Sequence, residues 1–454
     1  MTGALTAHLL KHNATGTPFE VTVWEMARGA GGRMSTTRWG AGPAETRANT
    51  GAQFISAAAG GPAAALVRDA MRAGLIEGPL APAKVAKHSR CFSEAGKDDY
   101  RATQGTSSVV KHFLDAADAV QFETRLQTLE RKSGGGWLAA PTSKGGGKGG
   151  GKSKGKGKGK GKGKGKGKGS HQQAFDAVVL AMPPQDAARV SGDAQRALQG
   201  STKQVKWIGR FSIALWWDPR DSTAAGAFVA AASLAHQAAT AGILDAVVVQ
   251  PVPSGVVGGG KVSCSVAVVI QSSAGYWGQH SAVHAGGGRG GGRQAGGGAS
   301  AGRPEQVTGR GRGAVQAEML AALQVLCPQL PMPRPVHVKM LNWRTSQVET
   351  PARLATEDGA CVVAPRAPSL VLAGDWCAES SFEGCCISAQ AAVDAVCAAV
   401  AAAIVPPAAR VTAPAPGVSA DVATSASGQP KAQGGQTQGG KRRRGGRISG
   451  GWAG

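Results

Sequence analysis

Several features that would assign a function directly are missing from this sequence of 454 residues. Its eight cysteines form no CxxC pair, and Cys385 and Cys386 are adjacent, which suits neither a zinc site nor a disulfide framework. The longest apolar stretch, residues 388–405, is mostly alanine and contains Asp394, so no transmembrane span is expected. The first residues show no secretory signal. These absences predict an intracellular, cytoplasmic protein without a bound metal, and an organelle stays open as its compartment.

The net charge of +23 lies almost wholly in three glycine-rich blocks. Residues 144–170 hold 11 lysines and no acid, and residues 274–313 and 405–454 hold 12 further basic residues against two acids. The rest of the chain is therefore close to neutral. This distribution argues against nucleic-acid binding as the main role, although the basic stretches 144–168 and 441–447 keep a nucleic-acid-associated protein as an alternative.

Helix and strand patterns alternate at both ends of the chain, whereas strands dominate its middle. Apolar periodicity predicts helices at residues 2–11, 107–117 and 314–326. It predicts strands at residues 19–25, 120–126, 136–138, 174–182, 208–217, 246–252, 262–270, 336–341 and 369–373. This order predicts an α/β fold in which both chain ends build one nucleotide-binding domain and a mixed, β-rich substrate domain is inserted between them.

We divide the chain accordingly. The nucleotide-binding domain takes residues 1–75, 105–190 and 343–404, and the substrate domain takes residues 76–104 and 191–342. Three low-complexity segments are predicted to be disordered: the Lys-Gly insertion 143–170, at the tip of a hairpin, the Gly/Arg insertion 274–313, and the basic tail 405–454. In the Lys-Gly insertion, alternating glycine and repelling like charges oppose both helix and sheet.

Gly3 stands at the start of the first predicted helix, and Glu25 closes the following strand about twenty residues later. In a Rossmann-type unit such a helix follows a strand and a glycine-rich turn, and an acid at this distance binds the adenosine ribose. We interpret Gly3 as the last glycine of a GxGxxG motif whose earlier part, with its strand, is absent from this sequence. From these residues alone, a flexible terminus at Gly3 and a solvated Glu25 stay open.

Two glycine-rich segments follow the acid-terminated strand. Residues 28–34 read RGAGGRM, and residues 49–54 read NTGAQF. Paired glycines let backbone amides approach a pyrophosphate, and Arg33 offers a planar cation for phosphate or flavin. A plain glycine-rich loop is the alternative, but the preceding strand and its acid favour contact with a dinucleotide cofactor.

In order and spacing, these segments resemble the FAD-binding segments of the renalase family, within the amine-oxidase-like group of flavoproteins. The resemblance rests on residues 1–3, 21–25, 31–34 and 51–54, and continues at residues 107–112, 180–183, 343–348, 374–375 and 383–385. Only the three low-complexity blocks fall clearly outside it. Two features depart from the family pattern: the first glycines of the dinucleotide motif are absent, and Asn49 stands where related sequences usually carry an acid.

The resemblance implies a noncovalently bound FAD. The implied cofactor contacts are Gly3, Glu25, Gly32, Arg33, Met34, Gly51, Ala52, Gln53, Leu126, Gly374, Asp375, Gly384, Cys385 and Ile387. Gly3 would face the pyrophosphate, Glu25 the adenosine ribose and Leu126 the adenine. Gly374 and Asp375 would meet the ribityl phosphate, and residues 384–387 would open the last helix beneath the flavin, where helix amides stabilise negative charge.

The same resemblance implies the reaction. A dihydropyridine such as an isomer of NADH or NADPH would give hydride to the flavin, and molecular oxygen would reoxidise it with release of hydrogen peroxide. Gln53 and Trp343 are the candidate pocket residues, although a large aromatic in a strand is more often plain core. An amine oxidase with another substrate is the alternative. A covalent flavin thioether at Cys385 or Cys386 is the less favoured arrangement. No membrane partner is expected.

Overall fold

The computed structural model describes the chain in segments: residues 1–12, 16–41, 45–80, 96–142, 172–198, 205–217, 227–228, 242–250, 267–285, 305–306, 310–326, 332–351, 359–364 and 367–404. The Lys-Gly repeat and the basic tail lie outside these residues, so the expectations about them stay predictions. The strands on either side of the repeat pair with each other, as a hairpin requires.

The helices longer than three residues are α1 (Thr2–Lys11), α2 (Ala64–Arg72), α3 (Thr106–Leu114), α4 (Pro184–Ala187), α5 (Asp193–Ala197), α6 (Ala274–Ala285), α7 (Arg310–Leu326) and α8 (Phe382–Ile404). The strands are β1 (Thr22–Trp24), β2 (Thr36–Trp39), β3 (Thr46–Asn49), β4 (Ile55–Ala57), β5 (Ile76–Glu77), β6 (Asp98–Ala102), β7 (Ala119–Gln121), β8 (Leu126–Arg131), β9 (Trp137–Pro141), β10 (Gln173–Phe175), β11 (Val178–Leu180), β12 (Lys206–Trp216), β13 (Leu244–Val249), β14 (Ala267–Ser272), β15 (Glu305–Gln306), β16 (His337–Thr350), β17 (Cys361–Ala364) and β18 (Ala367–Ala373).

Parallel strands come from both ends of the chain and form two separate groups. β1 pairs with β7, and β11 pairs with β18, which also carries antiparallel β17. Helices α1 and α8 pack on each other, and Leu10, Val371 and Val393 meet in one buried cluster. Both chain ends thus contribute to the α/β part of the fold, as the order of the predicted elements requires.

A gap separates the two parallel groups. β1 and β11 each have one edge with no strand partner in the described part of the chain, and both strands line the same large cavity. The start of α1 lies beside the carboxyl end of β11, since a Cβ atom on Gly3 would be 3.1 Å from the Cβ of Ala181. The cavity therefore continues from the helix start into a groove between two strands.

The middle of the chain forms a five-stranded antiparallel sheet in the order β13, β14, β12, β16, β15. One face of this sheet packs against α6 and α7, where Phe211, Ile213, Tyr276 and Met319 are buried together. The opposite face carries Arg210, Gln271 and Trp343, which line the cavity. This sheet supplies the second wall of the candidate site.

Disorder throughout residues 274–313 is a wrong expectation at both ends of that block. Residues Ala274–Ala285 form α6, and α7 begins at Arg310 rather than at residue 314. The reason is anchoring: Tyr276 is buried against Phe211, and the Trp277 indole donates to the Asn342 side chain at 2.8 Å. Tyr276 and Trp277 were not recognised as anchors in the sequence, because a glycine-rich segment follows them.

Three predicted strands differ from the structure by more than a shift of their ends. The expected strand 120–126 is broken after Gln121, because the chain turns at Glu123, whose φ is 55°. The expected strand 174–182 splits into β10 and β11, which belong to different sheets. The expected strand 336–341 continues to Thr350 as β16, so the predicted domain boundary at 342/343 falls inside one strand.

Helix α8 is long and apolar enough, over Phe382–Ala403, to cross a membrane by length and composition alone. In the structure Ala389, Ala392, Val393 and Val396 are buried against the sheet and its neighbours. Core helices of folded domains pass the same test of length and composition. The absence of a membrane span stays a prediction.

Candidate functional site

One cavity of about 1270 Å³ gathers most of the residues singled out in the sequence. Its lining includes Gly3, Glu25, Gly32, Arg33, Met34, Gly51, Ala52, Gln53, Leu126, Trp343, Gly374, Asp375 and Cys385. Gly384 and Ile387 do not line it. Residues from both chain ends and from the central sheet therefore meet in one space, which exceeds the usual size of a small-ligand pocket.

One wall of this cavity is built by the start of α1 and the end of β1. Helix α1 begins at Thr2 without a side-chain cap and without an acid in its first turn. Uncapped amides at a helix start attract anions. Glu25 follows β1, and its carboxylate accepts a hydrogen bond from the Ala27 amide at 2.7 Å. An anion-binding helix start and a fixed acid thus lie along one wall.

The two glycine-rich segments contact each other directly. The Ala52 amide donates to the Arg33 carbonyl at 2.8 Å, and a Cβ atom on Gly51 would lie 1.9 Å from that carbonyl oxygen. No side chain fits such a distance, so position 51 requires glycine. Gly32 has a φ of 52° with no heavy atom within 4 Å of a built Cβ, so it needs glycine for its backbone angle.

Arg33 binds Asp375 through both of its terminal nitrogens. Nη1 donates to Oδ2 at 2.6 Å, and Nη2 pairs with Oδ1. The Asp375 side chain is 5% exposed and that of Arg33 is 26% exposed. Burial is the largest single influence and lowers the pKa of Arg33, but the charge of Asp375, its hydrogen bond and the charge of Cys385 together outweigh it, so the pKa is raised. The guanidinium expected to face a phosphate is thus engaged with another predicted cofactor residue.

Gln53 and Asn49 fix the loop that carries Gly51. The Gln53 amide nitrogen donates to the Gly51 carbonyl at 2.9 Å and also to the Asn49 carbonyl, and its oxygen accepts from Gln250 at 3.1 Å. The Asn49 side-chain oxygen accepts from the Thr106 amide at 2.9 Å and from Thr36 at 3.0 Å. Asn49 therefore has an acceptor role here that a carboxylate would fill in the same way.

The central sheet contributes cavity residues that the sequence reading missed. Arg210 and Gln271 line the cavity and are 3% and 7% exposed, beside the predicted Trp343. The Trp343 indole donates to the Thr50 carbonyl at 2.7 Å, and the Gln271 amide nitrogen donates to the Gly51 carbonyl at 2.9 Å. A charged residue within the apolar stretch 207–217 was the available signal for Arg210.

The start of α8 contributes less than expected. A Cβ atom on Gly384 would lie 2.0 Å from the Glu379 carbonyl oxygen. Close backbone packing, rather than contact with a cofactor, therefore explains why this position is glycine. Ile387 lies two residues after Cys385, on another side of the helix, which explains its distance from the cavity. Cys385 does line the cavity, and burial raises the pKa of its thiol.

Near the start of α8, Lys97 forms ion pairs with Glu379 and with Glu383, the latter at 3.3 Å.

Comparison with known proteins gives one family match and several similar structures. Residues 1–70 match the family model described as NAD(P)-binding Rossmann-like domain. Cyclohexylamine oxidase from Brevibacterium oxydans IH-35A shares 11% identity over 88% of this chain and 97% of its own, with a TM-score of 0.46. A putrescine oxidase mutant with redesigned cofactor binding shares 11% identity over 68% of this chain and 56% of its own, with a TM-score of 0.33. A putative protoporphyrinogen oxidase from Exiguobacterium sp. 255-15 shares 10% identity over 68% of this chain and 54% of its own, with a TM-score of 0.39. The chain thus spans about half the length of these two proteins.

The family match and the topology agree on the fold class. The matched residues contain α1, β1 and the contacting glycine segments, and the parallel strands β7, β11 and β18 complete the α/β part. The protein therefore contains a Rossmann-like nucleotide-binding domain joined to an antiparallel sheet, as the sequence predicted.

Proposed function

We propose that the protein is an FAD-dependent oxidase that takes hydride from a dihydronicotinamide, such as an isomer of NADH or NADPH, and passes the electrons to oxygen. The observation that carries the proposal is the single cavity. It joins the uncapped start of α1 and Glu25 at one end to the amide-lined wall of the central sheet at the other. A dinucleotide and a planar substrate need such a continuous space.

The residues present fit a flavin dinucleotide on four counts. The start of α1 offers unsatisfied amide donors for a pyrophosphate. Glu25 offers a carboxylate for ribose hydroxyls, and Gly32 leaves open space where a side chain would otherwise project. Leu126 begins β8 and lines the cavity, where its backbone would meet the adenine.

FAD, when bound, would supply hydride acceptance and transfer of electrons to oxygen. The protein's own residues bind and orient the cofactor and screen it from solvent. Gln53, Gln250 and Trp343 hold residues 49–53 rigidly against the central sheet, so that the ring-binding wall is fixed in advance. The raised pKa of the Cys385 thiol keeps it protonated near neutral pH, which supports a dissociable rather than a thioether-linked cofactor.

The test is a titration of the purified full chain with FAD, followed by flavin fluorescence and by release of flavin after denaturation. We expect saturable FAD binding and no comparable binding of NAD or NADP alone. Glu25→Ala should weaken FAD binding roughly tenfold or more, because a charge-assisted hydrogen bond contributes about 1.5 to 3 kcal/mol.

Glu77→Ala is the matched control, because Glu77 also ends a strand but is 48% exposed and does not line the cavity. Its FAD affinity should equal that of the unmodified protein. A protein that retains no flavin colour after incubation with excess FAD and removal of the free FAD would rule out FAD as the cofactor. Binding of NADP instead of FAD would rule it out as well. Turnover with dihydronicotinamide isomers and with amines, each followed by hydrogen peroxide release, then tests the substrate.

A further inference from the structure

Two histidines lie together at the carboxyl end of α1. His8 and His12 are four positions apart, and the His12 amide donates to the His8 carbonyl at 3.1 Å, so the helical turn continues through His12. Residues four apart on a helix face the same side. The centres of the two rings are 4.4 Å apart, with 32° between the ring planes. The pair is separate from the candidate site, since neither histidine lines the cavity.

The distance between the two rings suits a shared metal ion. Zinc–nitrogen bonds of about 2.1 Å place the centres of two imidazoles on one ion roughly 4.5 to 5 Å apart. The observed 4.4 Å therefore requires only a small adjustment. The two histidines of helical zinc motifs have the same spacing of four positions.

A hydrogen bond of His12 leaves its other ring nitrogen available. Nδ1 of His12 lies 2.8 Å from the His8 carbonyl, and because a carbonyl can only accept, Nδ1 carries a proton. In the neutral ring the lone pair is then on Nε2, and the residue is exposed. Histidines that bind metals usually have their second ring nitrogen fixed by such a bond.

His8 also offers accessible nitrogen atoms. Neither of its ring nitrogens has a hydrogen-bond partner among the described residues, and neither is a buried atom, so both reach solvent. Phe113 packs edge-on against this ring, with 5.2 Å between the ring centres, which limits its rotation. A ligand group that is already held in place loses little freedom when an ion binds.

The electrostatic surroundings of the pair favour a cation. The pair lies at the end of a helix, where unpaired carbonyl groups carry partial negative charge. The lysine of the same turn, Lys11, is paired with Asp118 at 2.9 Å, so its charge is balanced. A divalent ion at this position would therefore meet no unpaired cation of the last turn.

The number of protein ligands is two. Among the described residues, no three histidine, cysteine or acidic side chains are grouped so that they could hold one ion. Water would fill the other coordination positions. Imidazole ligands suit zinc, copper and nickel, whereas magnesium and calcium prefer oxygen. The expectation of no bound metal rested on the cysteines and did not consider this pair.

We propose that His8 and His12 form a two-histidine site for a divalent transition-metal ion of the zinc, copper and nickel class. The ion links two positions of the last turn of α1 and stabilises the folded chain relative to the unfolded one. This inference goes beyond the proposed oxidase and does not depend on it.

The experiment counts the zinc ions bound by the untagged full chain in isothermal titration calorimetry, slightly above neutral pH. His8→Gln and His12→Gln should each bind one zinc ion fewer than the unmodified chain, or bind it at least about tenfold more weakly. Zinc should also raise the urea midpoint of the unmodified chain by more than that of either variant. Magnesium at the same concentration should bind to none of them at this site.

His337→Gln is the matched control. His337 is also partly exposed and stacks on a ring, that of Trp39, but it has no histidine four positions away. Its zinc count should equal that of the unmodified chain. Zinc bound at other histidines or cysteines is common to all these proteins and cancels in the comparison.

An unchanged zinc count and affinity in both α1 variants would overturn the site. A loss in only one of them would overturn it as well, because a shared ion needs both rings. Should His8→Gln fail to fold, His12→Gln decides alone, because it changes an exposed side chain. Zinc binding equal to that of the His337→Gln control would then refute the proposal.

Discussion

Replacing Arg33 by alanine should destabilise the protein even without cofactor. The change leaves the Asp375 carboxylate, 5% exposed, without its two charge-assisted hydrogen bonds, and among the described residues only the Ser380 hydroxyl, at 3.2 Å, still donates to it. Breaking a fully buried pair costs about 3 to 5 kcal/mol. Because 26% of the Arg33 side chain is exposed, we expect about 2 to 4 kcal/mol here.

The two partners of this pair should behave differently. Asp375→Asn removes the charge but leaves a cation that water can partly solvate, so it should cost only about 1 to 2 kcal/mol. Arg33→Lys should recover part of the Arg33→Ala loss, since a point charge cannot form two parallel hydrogen bonds. The double variant should be less destabilised than the sum of the single changes.

Urea unfolding followed by tryptophan fluorescence measures these differences, and Trp207, with its ring 5.3 Å from the Arg33 guanidinium carbon, is a local reporter. Arg196→Ala, at an 82% exposed side chain, is the control. An Arg33→Ala variant as stable as this control would refute the reasoning. FAD titration adds the second readout: a roughly tenfold weaker affinity fits a guanidinium that reaches the cofactor, whereas an unchanged affinity assigns Arg33 to support of Asp375.

Three further outcomes are expected. Gly51→Ala should cost about 1 to 3 kcal/mol or more, because its Cβ would lie 1.9 Å from the Arg33 carbonyl, whereas Gly29→Ala, with no heavy atom within 4 Å, should leave urea unfolding nearly unchanged; equal effects would refute the contact. The pKa of Asp69 is lowered, chiefly by its hydrogen bond with His112, so this pair stabilises the fold above the ordinary aspartate range near pH 4 and loses that contribution as the pH falls through the lowered pKa. Asp69→Asn should therefore flatten the acid limb of the stability profile, and an unchanged limb contradicts this. Deleting residues 144–168 should leave flavin content and turnover nearly unchanged, because β9 and β10 keep their register through Trp137 and Phe175; loss of flavin would show otherwise.

The sequence predicted the parts of the site that depend on backbone geometry. Gly32 and Gly51 were named from the glycine-rich segments and the family resemblance, and Glu25 from its spacing after Gly3. All three line the cavity, and the structure adds the reason for the two glycines, a close contact at Gly51 and a positive φ at Gly32. Their contact with a cofactor stays a prediction. The partner of Arg33 was not visible, since Asp375 is 342 positions away and both residues had separate expected roles. Arg210 and Gln271 were missed because each lies in a mostly apolar strand with no motif around it, and only the strand register shows that they share a face.

The contact between Arg33 and Asp375 also determines when the nucleotide-binding domain can form during synthesis. Ribosomes add about 5 to 20 residues per second, so Arg33 waits on the order of tens of seconds for its partner. Helix α1 waits still longer for α8, and β11 for β18. Until then α3 can cover one side of α1, but the side that packs on α8 stays uncovered. The newly made N-terminal segment is therefore a natural client for chaperones, and truncation before Asp375 should leave it unfolded rather than partly active.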